Sequence, residues 1–544
     1  MTGPLIPDLL HQEPRARLDM RGLAQALTFA FASGGTAESF DKLFARASEE
    51  SDFAPDCFAK ELFLKELVAR CMQPELGHEK FPLHRAHLVS VLSRPPRDLA
   101  SITFRHGILR ELEAAPELCK RLERLAQKLR LLQLKLEAPD RGKRYDAIGR
   151  RLDILRDIRD LIDELATSFA SAGSGLLRLH AFGKEQRASE SYENLVNLLD
   201  HEGNRALVEL RVRVGYDGEM RAFEIVRASE HASNPFYRTP LGRFLTKLRL
   251  WLSGYGFREA ELVGRLINSV FDGVQSTVTT LFQLLADIEF YLGNLALRAL
   301  ARSRGLDVCL PVLSAAPNAD SELSDLYNPF LLLEERAPKP AQIRASRQAM
   351  VIITGPNSGG KTRLLQALGL AQLLAQAGCY VPARSARLPL RHGLFVSLSQ
   401  EPSAEAREGR LGTELIRIRT MFEQLSPDSL VILDELCSGT NPSEGEEIFE
   451  LVVGLLAELE PQAFITTHFL QFAKRLEAER PAPRLEFLQV ELDTDHQPTY
   501  GFVPGVATTS LAQRTAERLG VTREALHDLV LRAKKGQRSS TPVE

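Results

Sequence analysis

Cysteine is scarce in this chain and tryptophan scarcer, at six and one in 544 residues. Cys57, Cys71, Cys119, Cys309, Cys379 and Cys437 are scattered, with no C-x-x-C pair. That speaks against a zinc module or a disulfide scaffold and for reduced thiols. No uninterrupted apolar run approaches the ~20 residues of a membrane helix. The opening MTGPLIPDLLHQEPRARLDM lacks the continuous apolar stretch of a signal peptide, so a cytoplasmic protein is expected. A surplus of charge is missing too. With 68 Lys and Arg against 71 Asp and Glu, the net charge is −3, so any nucleic-acid contact must come from local patches. No fixed-period repeat of the solenoid kind is visible. What remains is an ordinary globular composition, 44% hydrophobic and 26% charged. The chain is too long for one core and implies roughly two to four domains.

Helical periodicity fills most of the first 300 residues. ELCKRLERLAQKLRLLQLKLE (117–137) sets leucines three and four apart with basic residues between them, and YDAIGRRLDILRDIRDLIDELATSFASA (145–172) repeats the pattern. The period changes to two at 206–228, where ALVELRVRV and RAFEIVRAS flank an Asp-Gly turn. Helical spacing returns in PLGRFLTKLRLWL and continues through 262–304. The Pro- and Ala-rich stretch 311–342 marks a domain boundary. Beyond it the short apolar strands AMVIITG, SLVILDE and AFITTH alternate with helices, the pattern of a mainly parallel α/β sheet. RLEFLQVELD to TYGFVPG reads as a closing β-hairpin. TREALHDLVLRAKK (522–535) reads as a last helix capped by Thr522, and GQRSSTPVE as a disordered tail.

TGPNSGGKT (354–362) satisfies G-x-x-x-x-G-K-[ST] between an apolar strand and a helical pattern. Glycines let backbone N–H groups turn inward, and a helix N-terminus adds partial positive charge to the anion site. Gly355, Pro356, Asn357, Ser358, Gly359 and Gly360 would form the phosphate cradle. Lys361 would reach the outer phosphates, and the Thr362 hydroxyl would ligate Mg²⁺. The strand SLVIL delivers Asp434 and Glu435 to its C-terminal edge, where α/β folds bind ligands. Asp434 suits the Mg²⁺ shell, and Glu435 suits orienting or deprotonating an attacking water. His468, after AFITT, is placed to sense the γ-phosphate or hold the water.

TGPNSGGKT, LDELCSGTNPSEG and TTHF together resemble the ATPase of the MutS family, the mismatch-repair branch of the ABC-type ATPases. The 434–445 segment is closest to the branch that lacks mismatch recognition. YGFVPGVATTSLAQRTAERLGVTREAL is similar to the family's final, dimerising segment, and 92–118 and 282–300 look like the start of its core and its returning lever helix. The resemblance implies an α/β P-loop (ABC-type) ATPase domain C-terminal to a mainly α-helical core and lever domain with a small β clamp element. The expected division is 1–90, an N-terminal helical region; 91–320, core, levers and clamp; 321–520, the ATPase; and 521–544, a dimerisation helix and tail. Gly439, Thr440 and Asn441 fall in the family's D-loop. Gly412 and Thr413 fall in its trans-acting signature, where relatives carry a serine that reaches the nucleotide of the opposite subunit.

The departures narrow the reading. On this resemblance the chain is expected to begin almost at the core, leaving no room for mismatch-reading and connector domains, and no Smr nuclease domain is expected after the ATPase. Gly412 offers a backbone N–H but no hydroxyl, and the approach ERAPKPAQIRASRQAM has no aromatic to stack on adenine.

Between Lys120 and Asp160 stand 13 Lys/Arg and 7 Asp/Glu, densest at Arg141, Lys143, Arg144, Arg150 and Arg151. The strand pair adds Arg211 and Arg213. Such patches follow phosphates without reading bases, although a solvated helix face has the same composition. The expected protein is a homodimeric, DNA-stimulated ATPase using ATP and Mg²⁺. It would bind branched or structured DNA in repair or recombination control, independently of sequence and without recognising mismatches itself. A generic P-loop phosphotransferase and an ATP-binding scaffold with weak hydrolysis are the competing expectations.

Overall fold

The computed structural model describes residues 6–35, 40–45, 53, 58–138, 144–202, 206–214, 220–230, 256–316, 319–335, 337–398, 409–436, 441–480 and 484–508, with 523–524, 526–527 and 529–531. The expected helix PLGRFLTKLRLWL, the cap Thr522 and the final tail lie outside these residues. The chain divides into two compact units. One comprises Met1–Glu50, Lys65–Ala299 and Ala377–Cys379; the other comprises Ser51–Leu64, Leu300–Gln376 and Tyr380–Glu544.

The first unit is built on long helices: α1 (Met20–Ser33), α2 (Leu99–Ala114), α3 (Pro116–Glu137), α4 (Arg144–Ser168), α5 (Leu177–Arg187), α6 (Glu190–Glu202) and the 48-residue α7 (Gly256–Ser303). Asp98 caps α2 by accepting the Ser101 N–H, and Pro116 starts α3 where a missing N–H is harmless. The leucines read at helical spacing, such as Leu122, Leu125, Leu129 and Leu132, are buried. β1 (Ala206–Val214) and β2 (Met220–Glu230) form the expected antiparallel pair, Ala206 opposite Glu230 and Val214 opposite Met220.

Helix α7 also buries charge. Asp287 and Glu289 are both fully enclosed. Asp287 accepts the Leu9 N–H (2.9 Å) and pairs with Arg17, while Glu289 pairs with Arg130 (2.6 Å) and His84 (3.0 Å). Buried carboxylates persist only when such partners satisfy them.

Two tests of this unit follow from its packing. On α5, a Cβ added at Gly183 would overlap the backbone of Leu165 and Ala166 on α4. Ala normally favours a helix interior over Gly by ~1 kcal/mol, but backbone cannot yield as a side-chain tip can. Gly183→Ala is therefore expected to destabilise the protein by ~1–3 kcal/mol, read as a lowered midpoint in denaturant unfolding. An unchanged or raised midpoint would refute the close approach.

His87 and His106 are both buried. Burial, joined by Arg17 and His84, pushes His87 down to about 3, against the pull of the Phe44 carbonyl. Burial, with Arg110 and Arg105, pushes His106 down to about 4. Both folded-state values lie below the ordinary 6.5, so the stability tied to their neutral forms is whole above pH 6.5 and lost as pH falls towards 4 and 3. Each is expected to remove roughly 2 kcal/mol by about pH 5. The melting temperature of His106→Leu should fall less between neutral pH and that point than the parent's; parallel curves would count against this account.

The second unit centres on a six-stranded sheet in the order β8–β9–β10–β6–β11–β12. These strands are β6 (Met350–Thr354), β8 (Gly393–Ser397), β9 (Ser429–Leu433), β10 (Gln462–Thr466), β11 (Leu485–Leu492) and β12 (Pro498–Pro504). All pairings are parallel except the closing hairpin β11–β12. Every residue of β6, β9 and β10 is buried, as parallel strands covered on both faces require. Helices α8 (Lys361–Gln376), α9 (Gly409–Gln424), α10 (Pro442–Leu459) and α11 (Leu470–Glu479) follow β6, β8, β9 and β10 in turn.

The stretch 311–342 holds more structure than its turn-rich composition announces. β3 (Val312–Ser314), β4 (Ser321–Leu326) and β5 (Ala341–Ala345) join β7 (Ser385–Pro389) in a second sheet, in the order β3–β7–β4–β5. These strands are short, and β3 and β4 both pair with β7 from beyond α8, so local sequence carries little trace of them.

Candidate functional site

Parallel pairing brings the C-terminal ends of β6, β9 and β10 to one edge. Leu433 lies opposite Ile465, and Thr466 opposite Ile353. The Asp434 N–H donates to Ser397 O (2.9 Å) and the Thr467 N–H to Ile353 O (3.1 Å), which carries the alignment past the strands themselves. The turn after β6 depends on its glycines: Gly355 has φ 140° and Gly360 φ 90°, values closed to most side chains. A Cβ on Gly355 would also come within 2.6 Å of Val490 Cγ2.

Lys361 opens α8 at only 5% exposure. Its ammonium donates to Gly355 O (3.0 Å) and Pro356 O (3.2 Å) and stands 3.6 Å from Glu435 Oε1. Burial pulls its pKa below the usual lysine value, opposed by the Glu435 and Asp434 carboxylates. The Thr362 hydroxyl donates to Asp434 Oδ2 (2.6 Å) and the Thr466 hydroxyl to Asp434 Oδ1 (2.5 Å). Burial raises the pKa of Asp434, with Glu435 adding to the rise, while the two hydroxyls and Lys361 work against it. The Thr466 oxygen also accepts the Glu435 N–H (2.8 Å). Glu435 itself has φ 47°, an unfavourable backbone for a non-glycine residue that the neighbouring contacts hold in place.

These groups face an open cleft of about 1030 Å³, lined by the whole turn Pro356–Thr362, Leu398, Asp434 and Glu435. Three aromatics outside the approach strand also line it: Tyr327, and Tyr500 and Phe502 from β12. A Cβ on Gly360 would lie 3.4 Å from Tyr500 Cδ1, so this ring sits against the turn. Thr466, like these aromatics, is missed by reading the sequence. Its signal was present, as the first threonine of the T-T-H triplet.

Other expected residues stand elsewhere. His468 is exposed, its ring against Phe469 (4.2 Å between centroids), and it is not among the cleft-lining residues. Asn441 caps α10 by accepting the Ser443 N–H (3.4 Å), whereas Gly439 and Thr440 lie outside the described residues. Gly412 is half-buried on α9; Thr413 is on the same helix, its side chain outside the described set.

The basic cluster at 141–151 is corrected in part. Arg150 donates to Ala30 O (2.9 Å), Phe31 O (3.2 Å), Lys135 O (3.1 Å) and Leu136 O (3.2 Å), and Arg151 donates to Ala32 O (2.5 Å). Both guanidiniums turn inward to satisfy the last carbonyls of α1, and Arg150 those of α3 as well, as helix C-termini favour. They are not a phosphate-facing patch. Arg141 and Lys143 lie outside the described residues, and Arg144, Arg211 and Arg213 are placed only by their backbones.

The donor set suits Mg²⁺. A hydroxyl and a carboxylate, Thr362 and Asp434, supply two hard oxygens and leave the remaining positions to phosphate and water, as this ion prefers. Among the described residues, no group of three or more His, Cys, Asp and Glu side chains could hold a metal on its own. No helix among them is long and apolar enough to cross a membrane.

Comparison with known proteins agrees with this geometry. Residues 351–534 match the family model of MutS domain V. The chain is 32% identical over 298 residues to a protein named Endonuclease MutS2 from Thermus thermophilus, covering 54% of this chain and 37% of that one. It is 33% identical over 214 residues to its namesake from Thermomicrobium roseum, covering 39% and 26%. It is 35% identical over 175 residues to that from Streptococcus sanguinis, covering 32% and 22%. The matched stretch thus spans well under half the length of these relatives. On these matches, residues 351–534 form a MutS domain V, and the chain is similar to members of the MutS family over part of its length.

Proposed function

We propose that this chain is an ATP hydrolase that couples nucleotide binding to DNA. One observation carries the reading: Lys361, Thr362, Asp434 and Glu435, drawn from two separate sequence motifs, converge on a single cleft beside a glycine turn at a helix N-terminus. ATP is the substrate. The N–H groups of the 355–360 turn and the Lys361 ammonium bind its phosphates, and Tyr500 and Phe502 offer apolar surface to the base. Thr362 and Asp434 would hold Mg²⁺, which would supply positive charge where the phosphates gather negative charge.

Glu435 orients the attacking water and accepts its proton, because it follows Asp434 at the strand end and its carboxylate stands 3.6 Å from Lys361 Nζ, beside the phosphate turn. Thr466 holds both carboxylates in register, accepting from the Glu435 N–H while donating to Asp434. His468, just past the end of β10, is kept as the candidate γ-phosphate sensor although it does not line the cleft. We read 321–520 as the ATPase domain and the helical unit with its strand pair as core, lever and clamp, working as a homodimer on branched or structured DNA. The name endonuclease belongs to the relatives; the residues described here support hydrolysis of ATP.

The test is the ATPase rate of the full chain with no DNA, duplex, mismatched duplex and a four-way junction, with oligomeric state measured alongside. Stimulation by the junction above duplex is expected. A preference for mismatches, or transfer of phosphate to a small-molecule acceptor, would overturn the reading. ATP binding and dimerisation without turnover would favour the scaffold alternative, which Gly412 supports by lacking a hydroxyl.

A further inference from the structure

We propose that Glu61 is a positioning residue of the nucleotide cleft, holding the exit of β8 and helix α9 in fixed relation. The inference rests on the ATP-hydrolase reading above. Glu61 belongs to the segment Ser51–Leu64, which is part of the second unit although the chain before and after it is not.

Residues 58–64 are firmly seated in that unit. Phe58, Leu62 and Leu64 are fully buried. Leu62 fits over the middle of α8, where a Cβ on Gly369 would come within 2.8 Å of Leu62 Cδ2. Phe63 adopts φ 54° and sets its ring edge-on to Phe330, 6.5 Å between centroids. Glu61 is thus pinned by its neighbours and is itself only 7% exposed.

Contacts of two different kinds tie its carboxylate to the cleft. Oε2 accepts the Leu398 N–H at 3.1 Å, and Oε1 stands 3.6 Å from Arg417 Nη1 on α9. Leu398 is the first residue beyond β8, an edge strand of the sheet, and it lines the cleft. The residue before it, Ser397, accepts the Asp434 N–H. Any acceptor would satisfy a buried backbone N–H. A carboxylate does more, because its second oxygen reaches the helix that carries Gly412. One side chain therefore sets the distance between the strand end beside Asp434 and the helix bearing the signature position. The phosphate turn itself is untouched by these contacts.

Three variants of the full chain test this: Glu61→Gln, which keeps an acceptor for Leu398 but removes the charge, Arg417→Ala, and the two combined. Misplacing a catalytic element by ~1 Å can cost ~100-fold, and the loss of one partly exposed contact is expected to cost about tenfold in kcat. The KM for ATP should stay within about twofold because the phosphate contacts persist. The melting temperature should hold, and the double variant should be no worse than either single one.

Wild-type kcat in both single variants would overturn the proposal. So would a fall in kcat matched by an equal fall in folded protein, since that is what a purely structural cap gives. Amide exchange over 409–424 in the nucleotide-free chain supplies a readout independent of turnover. It should quicken in Glu61→Gln and in Arg417→Ala, and unchanged exchange would also overturn the idea. A parent protein that hydrolyses no ATP would refute the hydrolase reading and leave the exchange test standing.

Discussion

Glu435→Gln is expected to lower kcat for ATP hydrolysis by ~100-fold or more while nucleotide affinity changes by no more than about threefold. Positioned general bases contribute about 10²–10⁴-fold to a rate. Gln preserves size and hydrogen bonding but cannot take a proton at neutral pH. The surroundings of Glu435 suit the assignment. Its N–H is tied to Thr466 Oγ1, and its side chain faces the same cleft as Lys361. The strained φ of 47° is the mark of a residue whose conformation serves the site rather than local stability. Asp434, by contrast, has both oxygens engaged by the hydroxyls of Thr362 and Thr466, an arrangement that suits the metal rather than the attacking water. The measurement is single-turnover hydrolysis together with equilibrium binding of ATP. Undiminished turnover would refute the role of Glu435; loss of binding and rate together would point to a structural effect.

Lys361→Ala is expected to weaken nucleotide binding by ~100-fold, in line with the ~2–5 kcal/mol usually lost when one partner of a buried, hydrogen-bonded charge pair is truncated. Lys361 is buried, and its burial already disfavours the charged form. An incoming phosphate relieves that penalty, so the lysine contributes more to the bound state than to the free one. Truncation would also remove the ammonium that donates to Gly355 O and Pro356 O, the latter keeping the Gly359 N–H. Lys361→Arg is not expected to restore affinity, since the planar guanidinium does not fit a site shaped for a compact ammonium. Calorimetric titration with a non-hydrolysable ATP analogue reads both variants, and parent-like affinity in Lys361→Ala would remove the phosphate turn from the mechanism.

Much of the site was legible because its pieces are contiguous. The phosphate turn needs only a buried strand, two glycines at left-handed or extended-positive φ and a helix start, and all of these lie within 350–362. Asp434 and Glu435 were equally readable, since a five-residue apolar strand must end at the sheet edge. Long helices such as α3 and α4 announced themselves through leucine spacing. The strands of 311–342 did not, because short segments rich in turn residues show too little alternation.

By itself, then, the sequence determined the local elements, the phosphate turn and the carboxylates that go with it, because each depends on residues within a few positions of one another. The tertiary structure decided the partners. It put Thr466 on Asp434, Tyr500 against Gly360 and Glu61 on the Leu398 N–H, and it turned Arg150 from a surface charge into a cap for two helices. It also enclosed Asp287 and Glu289 in α7, where an amphipathic reading leaves charges in water. The physical reason is common to all of these. Periodicity records which face of an element is buried, whereas the identity of what covers it depends on chain segments tens to hundreds of residues away.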